Sequence, residues 1–230
     1  MALNIHILPE EQKKVWAKLK EADLSDFILY GGTALALHLG HRESIDFDFF
    51  GTKPVNLREI QTRIPWIEST TTAILQNSKN TLSLTISLSE TEEVKLSFFG
   101  EYKFPPIEKP FQAQNNVKIA SIRDILVTKL HAVFNREEVK DYQDISEILE
   151  SSKNPKSTLE QGIQDLFKRY PQLNLNIIIK TLTWFENFSD SELPQNKRDI
   201  LENCCLSITK AKTNLQSALG GLDTDRTPKQ

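Results

Sequence analysis

Residues 27–51 read FILYGGTALALHLGHRESIDFDFFG, and this stretch decides the fold. The apolar run that ends at Tyr30 is typical of a buried strand. Gly31 and Gly32 follow, and glycine permits a tight turn with positive φ and a close approach of another group to the backbone. The pattern then predicts a helix over residues 33–39. We therefore predict a strand, a glycine turn and a helix N-terminus, whose unpaired N–H groups suit a phosphate.

A second strand is predicted at residues 45–50, where polar and apolar side chains alternate. Asp46 and Asp48 lie on one face of this strand, about 6.6 Å apart at Cα because each residue advances about 3.3 Å. Two carboxylates so placed can converge on divalent ions, and hard oxygen ligands favour Mg²⁺, with Mn²⁺ as a substitute. The alternative interpretation is an edge strand whose outer face is acidic, behind an ordinary glycine turn.

Two predicted helices, at residues 121–134 and 139–151, carry charged residues on their apolar faces. Lys129 falls inside the apolar arc of the first helix, Asp141 falls inside that of the second, and Asp144 lies at its edge. An unpaired buried charge is costly, so these groups must be paired or must serve a site. The sequence leaves two alternatives open, a structural salt bridge between Lys129 and Asp141 or a functional site.

Both regions resemble one known family. Gly31-Gly32-Thr33 followed by Asp46-Phe47-Asp48 resembles the first motif of the nucleotidyltransferase superfamily related to DNA polymerase β. The fuller string GGTALALHLGHRESIDFDFF closely resembles the AbiEii/AbiGii toxin family within that superfamily. The later segment DILVTKLHAVFNREEVKDYQDI resembles further family motifs, with matching positions Lys129, Lys140, Asp141 and Asp144, and Arg136 as a weaker candidate. The resemblance spans roughly residues 10–150.

The resemblance implies a Mg²⁺-dependent nucleotidyltransferase of the abortive-infection and toxin–antitoxin type, with an NTP substrate and an RNA acceptor, the tRNA 3′ end. Asp46 and Asp48 would hold the metal, and Asp141 or Asp144 would orient or deprotonate the acceptor hydroxyl. Lys129 would neutralise phosphate charge. The nucleotide-binding residues it implies are Gly31, Gly32, Thr33, Arg42 and Lys129. It also implies an antitoxin encoded nearby.

One position departs from the superfamily pattern. Many of its enzymes carry a third carboxylate on a later strand, here predicted at residues 94–99, where Lys95 and Ser97 are the central polar residues and Glu93 precedes the strand. This departure motivates an alternative function, an NTP-binding regulatory module without turnover. A third interpretation is nucleotidyl transfer to a protein hydroxyl.

The pattern of elements predicts an α+β protein. We expect a nucleotidyltransferase domain at residues 1–110, with a mixed sheet flanked by helices. A C-terminal helical domain at residues 111–219 would carry Lys129 and the Asp141/Asp144 motif, and residues 220–230 would form a flexible tail.

Composition bounds the function. The chain carries 28 Lys+Arg and 31 Asp+Glu, a net charge of −3, so we expect modest RNA affinity and local acceptor selection. No apolar run approaches the ~20 residues of a membrane helix, the first residues are too polar for a signal peptide, and the two cysteines are adjacent. We therefore expect a cytoplasmic chain without a membrane partner. The three tryptophans are expected to anchor the core or an interface.

Overall fold

A computed structural model describes residues 2–89 and 92–220 of the 230-residue chain. The strands are β1 (Phe27–Tyr30), β2 (Asp46–Gly51), β3 (Thr71–Ser78), β4 (Thr81–Ile86), β5 (Val94–Phe99), β6 (Phe111–Gln112) and β7 (Lys118–Ile119). The helices are α1 (Glu10–Lys18), α2 (Gly31–Leu39), α3 (Leu57–Arg63), α4 (Ile67–Thr70), α5 (Ile122–Asn135), α6 (Val139–Ser151), α7 (Pro155–Arg169), α8 (Leu175–Leu182) and α9 (Gln195–Gly220). Two 3-10 helices, Ile5–Ile7 and Leu19–Glu21, flank α1.

The strands form one mixed sheet in the order β3-β4-β5-β2-β1-β7-β6. β2 lies at the centre, antiparallel to β1 and parallel to β5. β1 also pairs in parallel with β7, so both strands that carry the first motif are internal strands. This arrangement confirms the predicted α+β class and its mixed sheet, and it rules out the interpretation of β2 as an edge strand.

Aromatic packing fixes which face of β2 points inward. Phe47 and Phe49 are fully buried, and their rings stack at a centroid distance of 6.3 Å. Trp16 of α1 stacks on Phe47, and Phe98 of β5 stacks on Phe49. Because side chains alternate along a strand, this core turns the two carboxylates of β2 to the opposite face of the sheet.

The chain divides into two compact units, Met1–Thr128 and Lys129–Gln230, with the division inside α5. This division differs from the domain boundary predicted at residue 110, because β6 and β7 pair with the sheet and belong to the first unit. The sequence did not predict β6, which has two residues, or the single-turn α4. Apart from Gly220 at the end of α9, the predicted tail lies outside the described residues.

The second unit is helical, as predicted. The apolar face of α6 is fully buried and includes Tyr142, Ile145, Ile148 and Leu149. Asn154 caps α7 by accepting a hydrogen bond from the Ser157 N–H, and Pro155 takes the first helical position. Among the described residues, none of the helices has the length and apolar character that crossing a membrane requires.

Candidate active site

The glycine turn brings the backbone against a carboxylate. β1 ends at Tyr30, and Gly31 has a φ of +73°, in the region that favours glycine. A Cβ at Gly31 would lie 2.6 Å from Oδ2 of Asp48. The turn thus needs glycine for its conformation and for the space that the carboxylate occupies, and α2 begins at Gly31, two residues before its predicted start.

Asp46 and Asp48 share the half-buried face of β2, as the alternation predicts. Lys95 of β5 lies opposite Asp46, and its Nζ is 3.7 Å from the Asp46 Oδ2. Both side chains of this ion pair remain more than a third exposed, at 38% for Asp46 and 39% for Lys95. An exposed pair of this kind is weak, so a competing cation can replace the ammonium.

Two further residues of the motif have distinct surroundings. Thr33 is fully buried, and its hydroxyl donates a hydrogen bond to the backbone carbonyl of Asp46. The Thr33 side chain therefore fastens the first turn of α2 to β2. Arg42 extends a guanidinium to the same turn, since a Cβ at Gly32 would lie 2.9 Å from its Nη2. The start of α2 thus combines the partial positive charge of a helix N-terminus with a neighbouring guanidinium.

On β5, where the superfamily pattern predicts a third carboxylate, a serine lies opposite Asp48. Ser97 is the register partner of Asp48 on β5; it is buried and accepts a hydrogen bond from the Ser83 hydroxyl. Within the described residues, no group of three or more His, Cys, Asp or Glu side chains could hold a metal ion. Asp46 and Asp48 place two carboxylates on one face of β2, and carboxylate oxygens are the donors that Mg²⁺ prefers.

The second unit contains a buried cluster of three charged residues. The Nζ of Lys129 lies 2.7 Å from Oδ1 of Asp141 and 2.6 Å from Oδ2 of Asp144. The Lys129 side chain is 10% exposed, and the two carboxylates are 1% and 0% exposed. The charged residues on the apolar faces of α5 and α6 are therefore in contact, which agrees with both a structural salt bridge and a functional site. Lys129 pairs with Asp144 as well as with Asp141.

Arg136 has a closer link to this cluster than the sequence indicated. Its Nε donates to Oδ2 of Asp141 at 2.9 Å, and its Nη1 lies 3.3 Å from Oε1 of Glu138. Asp141 therefore joins a buried ammonium to a half-exposed guanidinium. Lys140, the remaining motif position, is exposed.

Within the first unit the structure brings together Gly31, Asp46 and Asp48, with Lys95 and Arg42 nearby. Within the second it brings together Lys129, Asp141, Asp144 and Arg136. The ion pair of Lys95 with Asp46 was not predicted, since it depends on the parallel register of β2 and β5, which no local pattern specifies.

Comparison with known proteins identifies relatives along most of the chain. The profile of the family described as "Nucleotidyl transferase AbiEii toxin, Type IV TA system" matches residues 16–204. An uncharacterised protein of Aquifex aeolicus (strain VF5) is 33% identical over 186 residues, which cover 78% of this chain and 84% of that protein.

Two solved structures share the fold. One is a Helicobacter pylori protein described as a candidate nucleotidyltransferase, with a TM-score of 0.54 at 21% identity, covering 89% of this chain and 95% of that one. The other is MenT4, a nucleotidyltransferase toxin of Mycobacterium tuberculosis H37Rv, with a TM-score of 0.55 at 12% identity, covering 84% of this chain and 81% of that one. At these identities the likeness concerns the fold.

Proposed function

This chain belongs to the AbiEii family of nucleotidyltransferase toxins, and we propose that it transfers a nucleotide from an NTP to the 3′ end of a tRNA with the help of Mg²⁺. Family membership makes it a toxin nucleotidyltransferase and implies an antitoxin partner. It also disfavours the interpretation as a regulatory module without turnover. The Mg²⁺ dependence, the tRNA acceptor and the roles of individual residues are what we add.

The observation that carries the proposal is the approach of the Gly31 backbone to Asp48 beside a second carboxylate, Asp46. Asp46 and Asp48 would hold the metal, which when bound neutralises the charge that develops on the transferring phosphate. The first turn of α2 would donate its backbone N–H groups to the triphosphate. Arg42, next to Gly32, adds a positive charge at the same place.

For the buried cluster we keep the roles that the family resemblance implies. An ammonium has three donors, and Asp141 and Asp144 each lie within hydrogen-bond distance of Lys129 Nζ. The remaining donor is the one with which Lys129 would bind a phosphate. Asp141 or Asp144 would orient or deprotonate the acceptor hydroxyl.

A labelling assay tests the proposal. The full chain is incubated with Mg²⁺ and each of the four α-labelled NTPs in turn, in the presence of total tRNA or of a protein lysate. We expect one or more labels to appear on tRNA that has become longer at its 3′ end, and no transfer when EDTA replaces Mg²⁺. Label confined to protein bands would instead support transfer to a protein hydroxyl and would overturn the tRNA acceptor.

A further inference from the structure

A pocket of 310 Å³ opens in the second unit, next to Arg136 of the buried ionic cluster. It is lined by the end of α5, by α6 and by α8, and its main lining residues are Phe134, Arg136, Glu137, Tyr142, Lys180 and Trp184. Its volume lies at the lower end of the ~300–1,000 Å³ of small-molecule sites, which suits one compact ligand group. No role assigned above uses this space.

The aromatic wall of the pocket is exposed. Trp184 is 41% exposed, whereas Trp16 and Trp66 are buried, so Trp184 does not lie in the core. The Nζ of Lys180 lies 5.6 Å from the centre of the Trp184 ring. An exposed indole beside a cation is the combination on which single-stranded nucleic acids stack a base and place a phosphate.

The floor of the pocket is held in place by hydrogen bonding. Tyr142 donates its hydroxyl hydrogen bond to the backbone carbonyl of Thr181 at 3.1 Å. Burial raises the pKa of Tyr142 to about 12, so the hydroxyl stays protonated and keeps this bond at neutral pH. The pocket therefore has a rigid floor, in which the buried Tyr142 hydroxyl already has its hydrogen-bond partner.

One lysine of the pocket suits a phosphodiester. The Glu137 carboxylate accepts hydrogen bonds from Nδ2 of Asn187 at 3.0 and 3.1 Å, so it is already engaged. The guanidinium of Arg136 is engaged as well, because it pairs with Asp141 at 2.9 Å and with Glu138 at 3.3 Å. Lys180, which lies over the exposed Trp184 ring, is the cation that we assign to a phosphate.

We propose that this pocket takes one unpaired nucleotide of an RNA strand, with its base stacked on Trp184 and its phosphate at Lys180. The proposal rests on the proposed function and deepens it, since it adds a way to hold the acceptor. A base in a duplex is stacked on both faces and paired along its edge. The pocket therefore selects single-stranded ends and loops. This gives a nearly neutral protein local selection of RNA without a broad basic surface.

Binding experiments on the full chain, without NTP or divalent cation, test the pocket independently of transfer. The probes are a labelled single-stranded oligoribonucleotide of mixed sequence, the same strand annealed to its complement, and ATP as a free nucleotide. Anisotropy gives the affinity, and tryptophan emission reports on Trp184. The variants are Trp184→Ala, Trp184→Phe and Lys180→Ala. Ile177→Ala on the exposed face of α8 and Lys79→Ala in the β3–β4 turn are the matched controls.

We expect Trp184→Ala to weaken binding of the single strand roughly 5- to 150-fold, the range given by loss of one base–aromatic stack. Trp184→Phe should keep most of the affinity but lose the quenching of emission, Lys180→Ala should weaken binding, and both controls should bind as the natural chain does. If Trp184→Ala fails to fold, the Trp184→Phe and Lys180→Ala results decide in its place.

Several results would overturn the proposal that the pocket binds RNA. These are equal affinity of Trp184→Ala and the natural chain, no binding of the single strand, tighter binding of the duplex, or quenching of tryptophan emission by ATP equal to that by the single strand. A chain that binds the single strand through Trp184 but never labels tRNA would refute the proposed function and leave the pocket standing. If Trp184→Ala changes neither the transfer to tRNA nor the affinity for the single strand, the proposed function stands and the pocket is refuted as an RNA site.

Discussion

At Gly31 the backbone passes so close to Asp48 that a methyl group has no room. A Cβ would lie 2.6 Å from the Asp48 Oδ2, and φ is +73°. We predict that Gly31→Ala lowers the free energy of unfolding by at least about 1–2 kcal/mol, since an L-residue in the left-handed region costs that much alone. Transfer activity should fall further, because Asp48 must move. Urea denaturation and the labelling assay measure the two effects.

A double variant separates the two causes. In Gly31→Ala/Asp48→Ala the contact with the carboxylate is gone and only the backbone strain remains. The combined loss of stability should therefore be smaller than the sum of the two single losses, as expected for residues in contact. A Gly31→Ala chain as stable as the natural one would contradict the described turn.

Lys129 bridges the two buried carboxylates Asp141 and Asp144. Lys129→Met keeps the length of the side chain but removes the ammonium from both carboxylates. Breaking a buried pair in this way costs about 3–5 kcal/mol, so we predict a loss of that order in urea denaturation. Lys153→Met, which replaces an exposed lysine just after α6, is the control and should change stability little. A loss below about 1 kcal/mol would show that the cluster is solvated in solution.

At the scale of elements, β3 is an edge strand that presents both faces to solvent. Seven of its eight residues are exposed, it contains no charged residue, and Ile74 and Leu75 are its exposed apolar side chains. Uncharged, exposed edge strands favour pairing between molecules. The strand therefore contributes little to the core and carries a risk of self-association.

We predict that Leu75→Lys leaves thermal stability almost unchanged, within about 0.5 kcal/mol, because the side chain is outside the core. It should also reduce light scattering of concentrated protein, since a lysine on an edge strand opposes pairing. Leu82→Lys on the neighbouring β4, where Leu82 is fully buried, should unfold the chain. Similar destabilisation by both substitutions would contradict the exposed position of β3.

Elements with strong local signals were predicted closely from the sequence. β1, β5 and α6 have the predicted bounds, because each is an apolar or amphipathic run with clear ends. β6 was missed because two residues carry no periodicity, and its pairing with β7 depends on the rest of the sheet. For the same reason the boundary predicted at residue 110 differs from the division at Thr128 and Lys129.

The candidate site was predicted in part. Alternation placed Asp46 and Asp48 on one face, and helical periodicity placed Lys129 among apolar neighbours, so the types and faces of these residues followed from local patterns. The buried hydroxyl of Thr33 and the pairing of Lys95 with Asp46 did not, because both depend on contacts between distant segments. The exposure of Trp184 likewise depends on how the helices of the second unit pack.

At the scale of the whole molecule, net charge limits how RNA is bound. A chain with a net charge of −3 has no excess of cations to cover many phosphates. If Lys180 supplies one phosphate contact, log K for single-stranded RNA should fall with log salt with a slope of about −0.7. Anisotropy titrations at several salt concentrations measure it. A slope steeper than about −4 would indicate a broad electrostatic surface instead.

We propose that Asp46 and Asp48 hold the metal for nucleotidyl transfer, and the transfer rates of their variants test this claim. The rate of labelled-nucleotide transfer to tRNA is compared among the natural chain, Asp46→Asn, Asp48→Asn and the control Asp199→Asn, an exposed carboxylate on α9, over a range of Mg²⁺ concentrations. We predict a loss of at least about a hundredfold for each β2 variant and a rate close to natural for Asp199→Asn, with all chains folded by circular dichroism. Transfer by Asp46→Asn or Asp48→Asn at the natural rate and with the natural Mg²⁺ dependence would contradict the claim.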